Sequence, residues 1–314
     1  MSKKIILSID GGGIRGIIPL CALIEMERQI GKPAREVVSF VAGTSTGAII
    51  AAGLAMGLSA ARVLELYQEA GPAIFRMDTL GWIFSGFSYR YKTKPMADLI
   101  RKYINEPLMN QSPIDIMLSA TRVEDGKNWY FVRDNSANAQ STGKLSMVDC
   151  ITASSAAPTY FEPWKVGDIG PCVDGGVGVA SNPVYQAAVE AFYYTPAGVY
   201  SPANSIIISL GTGFYPSKNS PQNIVDWLQF TIGELLEAPS TQQNAIVYRH
   251  FPEASSYRWN PQLPRDIGLD GVTEIPALIE IGTQMSKTLD WKAMLAGSTD
   301  QNKVGPHTRG MGRN

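Results

Sequence analysis

Ser45 sits at the centre of GTSTG, residues 43–47, a G-x-S-x-G run between an apolar stretch and a run of small residues. A serine becomes a nucleophile when a tight strand-to-helix turn lifts it clear of its neighbours and a base stands by for its proton. Gly43 and Gly47 suit that turn, because side chains there would crowd the crossing backbone. The competing reading is a close-packed turn without chemistry; the strand pattern before it and helix pattern after it favour the nucleophile. Upstream, Gly11, Gly13 and Gly16 in DGGGIRG, residues 10–16, satisfy G-x-G-x-x-G. That spacing cradles a pyrophosphate in dinucleotide-binding folds. The same amides could instead hold the oxyanion formed when an ester is attacked.

A base for Ser45 is harder to find. The chain has only two histidines, His250 and His307. His307 lies in the polar terminus GPHTRGMGRN. His250 follows the serine, in the chain order of an α/β-hydrolase triad, but its setting, VYRHFPEA, has no glycine or turn signature, which favours a structural histidine. Asp174 is the alternative, followed by Gly175 and Gly176 in a turn that would present a carboxylate without crowding a substrate. On residue chemistry alone, a general base and a turn aspartate bonded to its own backbone stand as equal readings. Cys21, Cys150 and Cys172 are odd in number and widely spaced, which reads as buried reduced thiols; no zinc spacing is present, and no metal is expected.

Composition bounds the setting. At 314 residues, 45% hydrophobic and 18% charged, the chain can bury a sizeable α/β core. A net charge of −1 removes any global electrostatic case for a nucleic-acid partner. Membrane contact through an apolar surface would not need net charge. The apolar run after Lys3 and Lys4 is broken at once by Asp10 and the glycines, so a signal peptide is not expected; nor is a bilayer span. The expected location is cytoplasmic, with peripheral membrane contact left open.

The elements that must position these residues follow a β-loop-α rhythm. Ile5–Ile9 reads as a buried strand, followed by a helix with Pro19 in its first turn and Gly31 at its exit. Val37–Ala42 reads as a second strand, then GTSTG, then a small-residue helix. This order argues for a parallel sheet. Residues 114–123 and 128–133 read as a hairpin turning at Asp125-Gly126. Ser146 caps a helix that Pro158 ends, Asn182-Pro183 opens another, and Ser205–Leu210 is a further strand. Beyond residue 221 the chain reads as largely helical apart from a loop-rich stretch, 252–264. One domain over residues 1–298 is expected, with 299–314 a flexible tail.

Four motifs occur in order: DGGGIRG at 10–16, GTSTG at 43–47, ASSAAPTYF at 153–161 and DGG at 174–176. Together they resemble the patatin-like phospholipase family. The resemblance implies a three-layer α/β/α fold with a mostly parallel central sheet, and a Ser-Asp dyad without histidine or cofactor. Carried over, Ser45 is the nucleophile and Asp174 the base, and the Gly11, Gly12 and Gly13 amides with Arg15 form the oxyanion hole. Arg15 keeps a second reading, as a brace for the glycine loop. The implied substrate is a lipid or other acyl ester. Trp82, Phe84 and Phe87 in LGWIFSGFSYRY, residues 80–91, are cleft or lid candidates, with core packing the competing reading; Pro158 is expected to shape the cleft. Ile224–Leu236 reads as an ordinary amphipathic helix.

Three rival functions remain distinguishable. A nucleotide-dependent oxidoreductase is disfavoured by Asp10, which would repel a pyrophosphate, and by the lack of an acid ending the second strand. An acyltransferase could use the same acyl-Ser45. A phospholipase effector switched on by cyclic nucleotides, as in some bacterial relatives, differs in context rather than in chemistry. Oligomeric state leaves no trace in the sequence.

Overall fold

The first strand sets the plan of the molecule. In β1 (Lys4–Ile9), Ile5, Leu7 and Ile9 join one apolar core while Ile6 joins another, the period-2 signature of a strand covered on both faces. A 3-10 turn over Gly13–Gly16 leads into α1 (Ile17–Ile30), which ends at Gly31 in the left-handed conformation. A short helix, α2 (Ala34–Val37), precedes β2 (Phe40–Thr44), α3 (Thr46–Ala55) and α4 (Ala60–Ile74). Then come α5 (Lys94–Ile104), β3 (Asp115–Arg122), β4 (Asn128–Val132), α6 (Met147–Ser154), β5 (Trp164–Val166) and β6 (Gly170–Asp174). The chain continues through α7 (Val184–Tyr193), β7 (Ser205–Leu210), β8 (Ser255–Trp259), α8 (Ile275–Ser286) and α9 (Trp291–Ala296). The computed structural model describes residues 3–74, 89–138, 142–216, 222, 227 and 240–297.

The strands form one sheet in the order β5-β6-β3-β2-β1-β7-β8, with β4 paired to β3. β1, β2, β3, β7 and β8 run parallel, while β4, β5 and β6 join antiparallel. Helices α1, α3, α4, α5, α6, α8 and α9 contribute to the larger core on one face. On the other face α7 packs over Ile6, Phe40, Ala42 and Ile207, with Val247 and Phe251 from the helical segment 240–250 and its end. This is the expected three-layer α/β/α arrangement. Cys21, Cys150 and Cys172 are buried and free, as their apolar settings imply.

One crossing of strands matters for the site. β4 occupies one edge of β3 along Met117–Thr121, so β2 must lie on the other edge, where its pairing stops at Thr44 opposite Ser119. The next residues of that edge, Ala120–Arg122, pair with β6, with Asp174 opposite Ala120. The end of β6 therefore meets the end of β2. Asp174 is delivered beside the turn that follows Thr44.

Three boundaries differ from the sequence expectation. β2 begins at Phe40 rather than Val37, because Pro33 opens a helical turn and the Glu27 carboxylate accepts the Ala34 N–H at 2.9 Å. Helix α6 stops at Ser154, before Pro158, with Ser155 as its C-cap. The stretch expected to be loop-rich contains β8. Only Tyr257 and Trp259 of that strand are buried apolar residues, and Arg258 between them faces a buried acid, so no apolar run announces it.

Candidate active site

Ser45 joins β2 to α3 with φ 57° and ψ −125°, in a region that L-residues rarely adopt. Both flanking glycines are sterically required. A Cβ at Gly43 would overlap the Gly47 carbonyl, and one at Gly47 would overlap the Ile9 carbonyl of the neighbouring strand. Two serines from ASSAAP brace the strained residue. Ser154 Oγ accepts the Ser45 N–H at 2.9 Å, and Ser155 Oγ donates to the Ser45 carbonyl at 3.1 Å. That carbonyl also accepts Ala48 N–H, opening α3, whose positive end thus begins at the serine. In the sequence these two braces are signalled only by a pair of hydroxyls in an otherwise apolar segment.

Asp174 is buried beside Ser45. Its Oδ1 accepts the Gly176 N–H at 2.8 Å, its own N–H donates to the Ala156 carbonyl at 3.0 Å, and the Ser45 side chain stands within hydrogen-bonding reach of its carboxylate. Gly175 is needed because a Cβ there would overlap Ser119. Burial pushes Asp174 up to about 6, against the hydrogen bonds from Ser45 and Gly176, which pull the other way. The bond to Gly176 is the turn contact that the bland reading of an Asp-Gly-Gly called for. It coexists with the contact to the serine.

The glycine turn supplies donors, but not all three. The Gly11 N–H is committed to the Ser181 carbonyl at 2.9 Å, which removes Gly11 from the expected oxyanion hole. Gly12 and Gly13 line the cavity at Ser45, and their amides have no hydrogen-bond partner among the described residues. A side chain at Gly12 would overlap Thr212, and one at Gly13 would overlap the Leu269 carbonyl. Arg15 is half-buried and does not line that cavity, an arrangement that fits a brace better than an oxyanion donor.

The cavity that receives Ser45 holds about 320 Å3. From Ser45 and Asp174 it runs along Ile49 and Gly53 of α3, between α4 and α5, to Leu58 and Tyr103. Its walls are overwhelmingly apolar. Pro158 lines it, together with Thr159, whose φ of 71° is a second strained position. Pro158, Thr159, Phe161 and Val177 also line an adjoining pocket of about 330 Å3 with Tyr89, Val123 and Val173. Trp82, Phe84 and Phe87 lie outside the described residues, as do most of Ile224–Leu236, His307 and residues 299–314.

His250 is exposed on the helical segment of the opposite layer, where its Nδ1 meets the Tyr185 hydroxyl at 3.1 Å; it does not line the cavity. The carboxylate of Asp10 does not threaten an anion as expected, because Arg258 pairs with it. The apolar cavity, rather than repulsion by Asp10, speaks against a nucleotide. Among the described residues no group of three or more His, Cys, Asp or Glu side chains could hold a metal ion, and no helix is long and apolar enough to cross a membrane.

A strained serine elbow beside a buried carboxylate, with the Gly12 and Gly13 amides unbonded among the described residues and an apolar cavity at the same point, has the parts that serine acyl transfer requires. The family model for patatin-like phospholipases matches residues 7–188, and the chain belongs to that family. A cGAMP-activated phospholipase of Vibrio cholerae is 30% identical over 204 residues, covering 60% of this chain and 57% of the relative. An intracellular phospholipase A2 of Caenorhabditis elegans is 26% identical over 302 residues, covering 87% of this chain and 27% of the relative. Among solved structures, VipD from Legionella pneumophila aligns over 90% of this chain and 67% of its own at 10% identity, with a TM-score of 0.40. The chain thus spans little more than half the length of the bacterial phospholipase it matches.

Proposed function

We propose that this protein hydrolyses fatty acyl esters of lipids through an acyl-Ser45 intermediate, with Asp174 as the base. The observation that carries the reading is the contact of the buried Asp174 carboxylate with a serine held at positive φ over an apolar cavity. Ser45 Oγ attacks the ester carbonyl carbon while its proton passes to Asp174. Negative charge developing on the carbonyl oxygen is met by the Gly12 and Gly13 N–H groups and the N-terminal end of α3. The bond from carbon to the alcohol oxygen then breaks, and the alcohol leaves with the proton from Asp174. Water repeats the sequence in reverse: Asp174 takes its proton, hydroxide adds to the acyl carbon, and the fatty acid departs as the proton returns to Ser45. Because an alcohol can replace water in the second half, acyl transfer is the alternative reading of the same intermediate. The names of the bacterial relatives add a regulatory alternative, activation by a cyclic nucleotide.

The test is fatty-acid release from dispersed diacyl phospholipid and from p-nitrophenyl esters, with and without cyclic dinucleotides, plus fluorophosphonate labelling mapped by mass spectrometry. Fatty-acid release and a label on Ser45 are expected. A folded protein with neither, under either condition, would sink the proposal. Product ester formed in the presence of an added alcohol would shift the reading to transfer.

Chain-length preference follows from the cavity. Ile49 lines it one helical turn, about 6 Å, beyond Ser45. Each methylene buried past that point contributes about 0.8 kcal/mol, close to a fourfold change in rate constant. Ile49→Phe should therefore lower kcat/KM for dodecanoyl esters by at least about tenfold, while butyryl esters change little. Equal losses on both esters would mean that the acyl chain does not run along α3.

A further inference from the structure

The residues that aim the glycine turn come partly from the far end of the chain. Asp10, the residue that leaves β1, directs both carboxylate oxygens at Arg258 of β8: Nη1 donates to Oδ1 at 2.9 Å and Nη2 to Oδ2 at 2.6 Å. Ser240 Oγ donates to the same Oδ2 at 2.8 Å. The guanidinium also reaches Ser209 Oγ at 2.8 Å and Ser240 Oγ at 2.7 Å. Asp10 is buried and Arg258 largely so, with side-chain exposures of 7% and 12%. Sheet register explains the meeting: Ser8, Ser209 and Arg258 stand in one row across β1, β7 and β8, and Asp10 lies two residues beyond Ser8 on the same face.

The turn that follows has few other constraints. Gly11 is held by the Ser181 carbonyl and by the Thr212 hydroxyl on its own carbonyl, and Ile14 N–H by the Leu269 carbonyl. The Gly12 and Gly13 N–H groups have no partner among the described residues, while the Gly12 carbonyl accepts the Arg15 N–H at 3.2 Å and closes the turn on itself, so the turn is aimed as a unit by its flanking anchors. Glycine backbone has more conformational freedom than any other, so those anchors matter here. A planar, two-pronged contact fixes orientation as well as position, which a single point charge does not. The pair has an electrostatic consequence too. An unneutralised carboxylate two residues from Gly12 would oppose negative charge at the amides, and Arg258 cancels it.

We infer that Arg258 is a positioning residue for the oxyanion turn, acting through Asp10 from outside the family-matched residues 7–188. The inference rests on the proposed acyl-enzyme reading. It accounts for a largely covered arginine in a strand that otherwise lacks a clear apolar pattern, and it gives the C-terminal third a part in the chemistry.

Two variants test it, with p-nitrophenyl ester kinetics, the rate of fluorophosphonate labelling at Ser45 and thermal melting. Arg258→Lys keeps the charge and loses the fork. The double variant Asp10→Asn, Arg258→Met removes both charges and leaves no buried carboxylate unpaired. The expected result is a cooperative melt in both, with kcat and the labelling rate lowered by roughly ten- to a hundredfold and KM within about threefold of wild type, since loss of one oxyanion donor outright costs ~10²–10³. Wild-type kcat in either variant, or a change confined to KM, would overturn the inference and leave the pair a purely structural one. An active wild type beside unaffected variants defeats this inference alone, whereas an inactive wild type unlabelled at Ser45 defeats the functional reading and this inference with it.

Discussion

Ser45→Ala should remove ester hydrolysis, by about 10⁴-fold or more, while His250→Ala keeps at least about half of wild-type kcat. Alanine at position 45 accepts the same strained backbone, and the braces at Ser154 and Ser155 bind the main chain rather than the hydroxyl. The fold should therefore persist and the loss should be one of chemistry. His250 is the informative control, because a histidine after the serine is what an α/β-hydrolase triad would need. Here it packs edge-on to Tyr185 and Phe251 in the layer that faces away from the cavity. Initial rates on a soluble ester, with melting curves for each variant, separate the outcomes. A folded Ser45→Ala enzyme with unchanged kcat would end the nucleophile assignment. A folded but inactive His250→Ala would restore the triad.

Much of this site was legible because it depends on backbone geometry that few residues tolerate. Gly43, Gly47 and Gly175 each stand where a Cβ would overlap main chain or a buried hydroxyl, so their glycines are readable constraints. The serine between two of them, with strand pattern before and helix pattern after, could be read for the same reason. Gly11 misled for an instructive reason. Glycine spacing shows that backbone approaches closely, but not which amide is already spoken for, and the Ser181 carbonyl that takes it comes from a loop 170 residues away. Arg258 was invisible for a related cause. Its partner Asp10 is 248 positions distant, and the pairing exists only through a strand that carries a buried charge where a strand pattern calls for an apolar residue. The alternation that revealed β1 is the one that β8 gives up.

The parallel and antiparallel parts of the sheet were readable to different degrees as well. Apolar strands with helices between them imply a parallel sheet, and five strands obey that rule. The departure, β6 entering antiparallel where β2 runs out, is what brings Asp174 to Ser45. Pairing of β6 with a strand some 50 residues earlier leaves no local trace. The Asp-Gly-Gly turn therefore announced a presented carboxylate, and only the register gave it an address.

Asp174→Asn should abolish turnover and at the same time stabilise the protein at neutral pH. Burial holds the Asp174 carboxyl at about 6, above its ordinary value of 3.8. As a base it must be ionised, so kcat/KM of the wild type should rise with pH through about 6 and level off above it, falling tenfold per pH unit on the acid side. The stability consequence has the opposite sense. Between pH 3.8 and 6 the folded protein holds a proton at Asp174 that the unfolded chain has released, so this group's contribution to stability declines as pH rises across that window. Above it the cost is complete, on the order of 3 kcal/mol for a displacement of this size. Asparagine carries no charge to desolvate and its side-chain oxygen can still accept the Gly176 N–H. The melting temperature of Asp174→Asn should exceed that of wild type by a few degrees at pH 7.5, and the difference should close as pH falls to 4. A difference of the same size at both pH values would show that packing, not the buried charge, separates the two proteins. A wild-type pH profile flat from 5 to 8 would remove Asp174 as the base. If both expectations hold, the carboxylate that would make this serine reactive is also a place where the fold gives up stability.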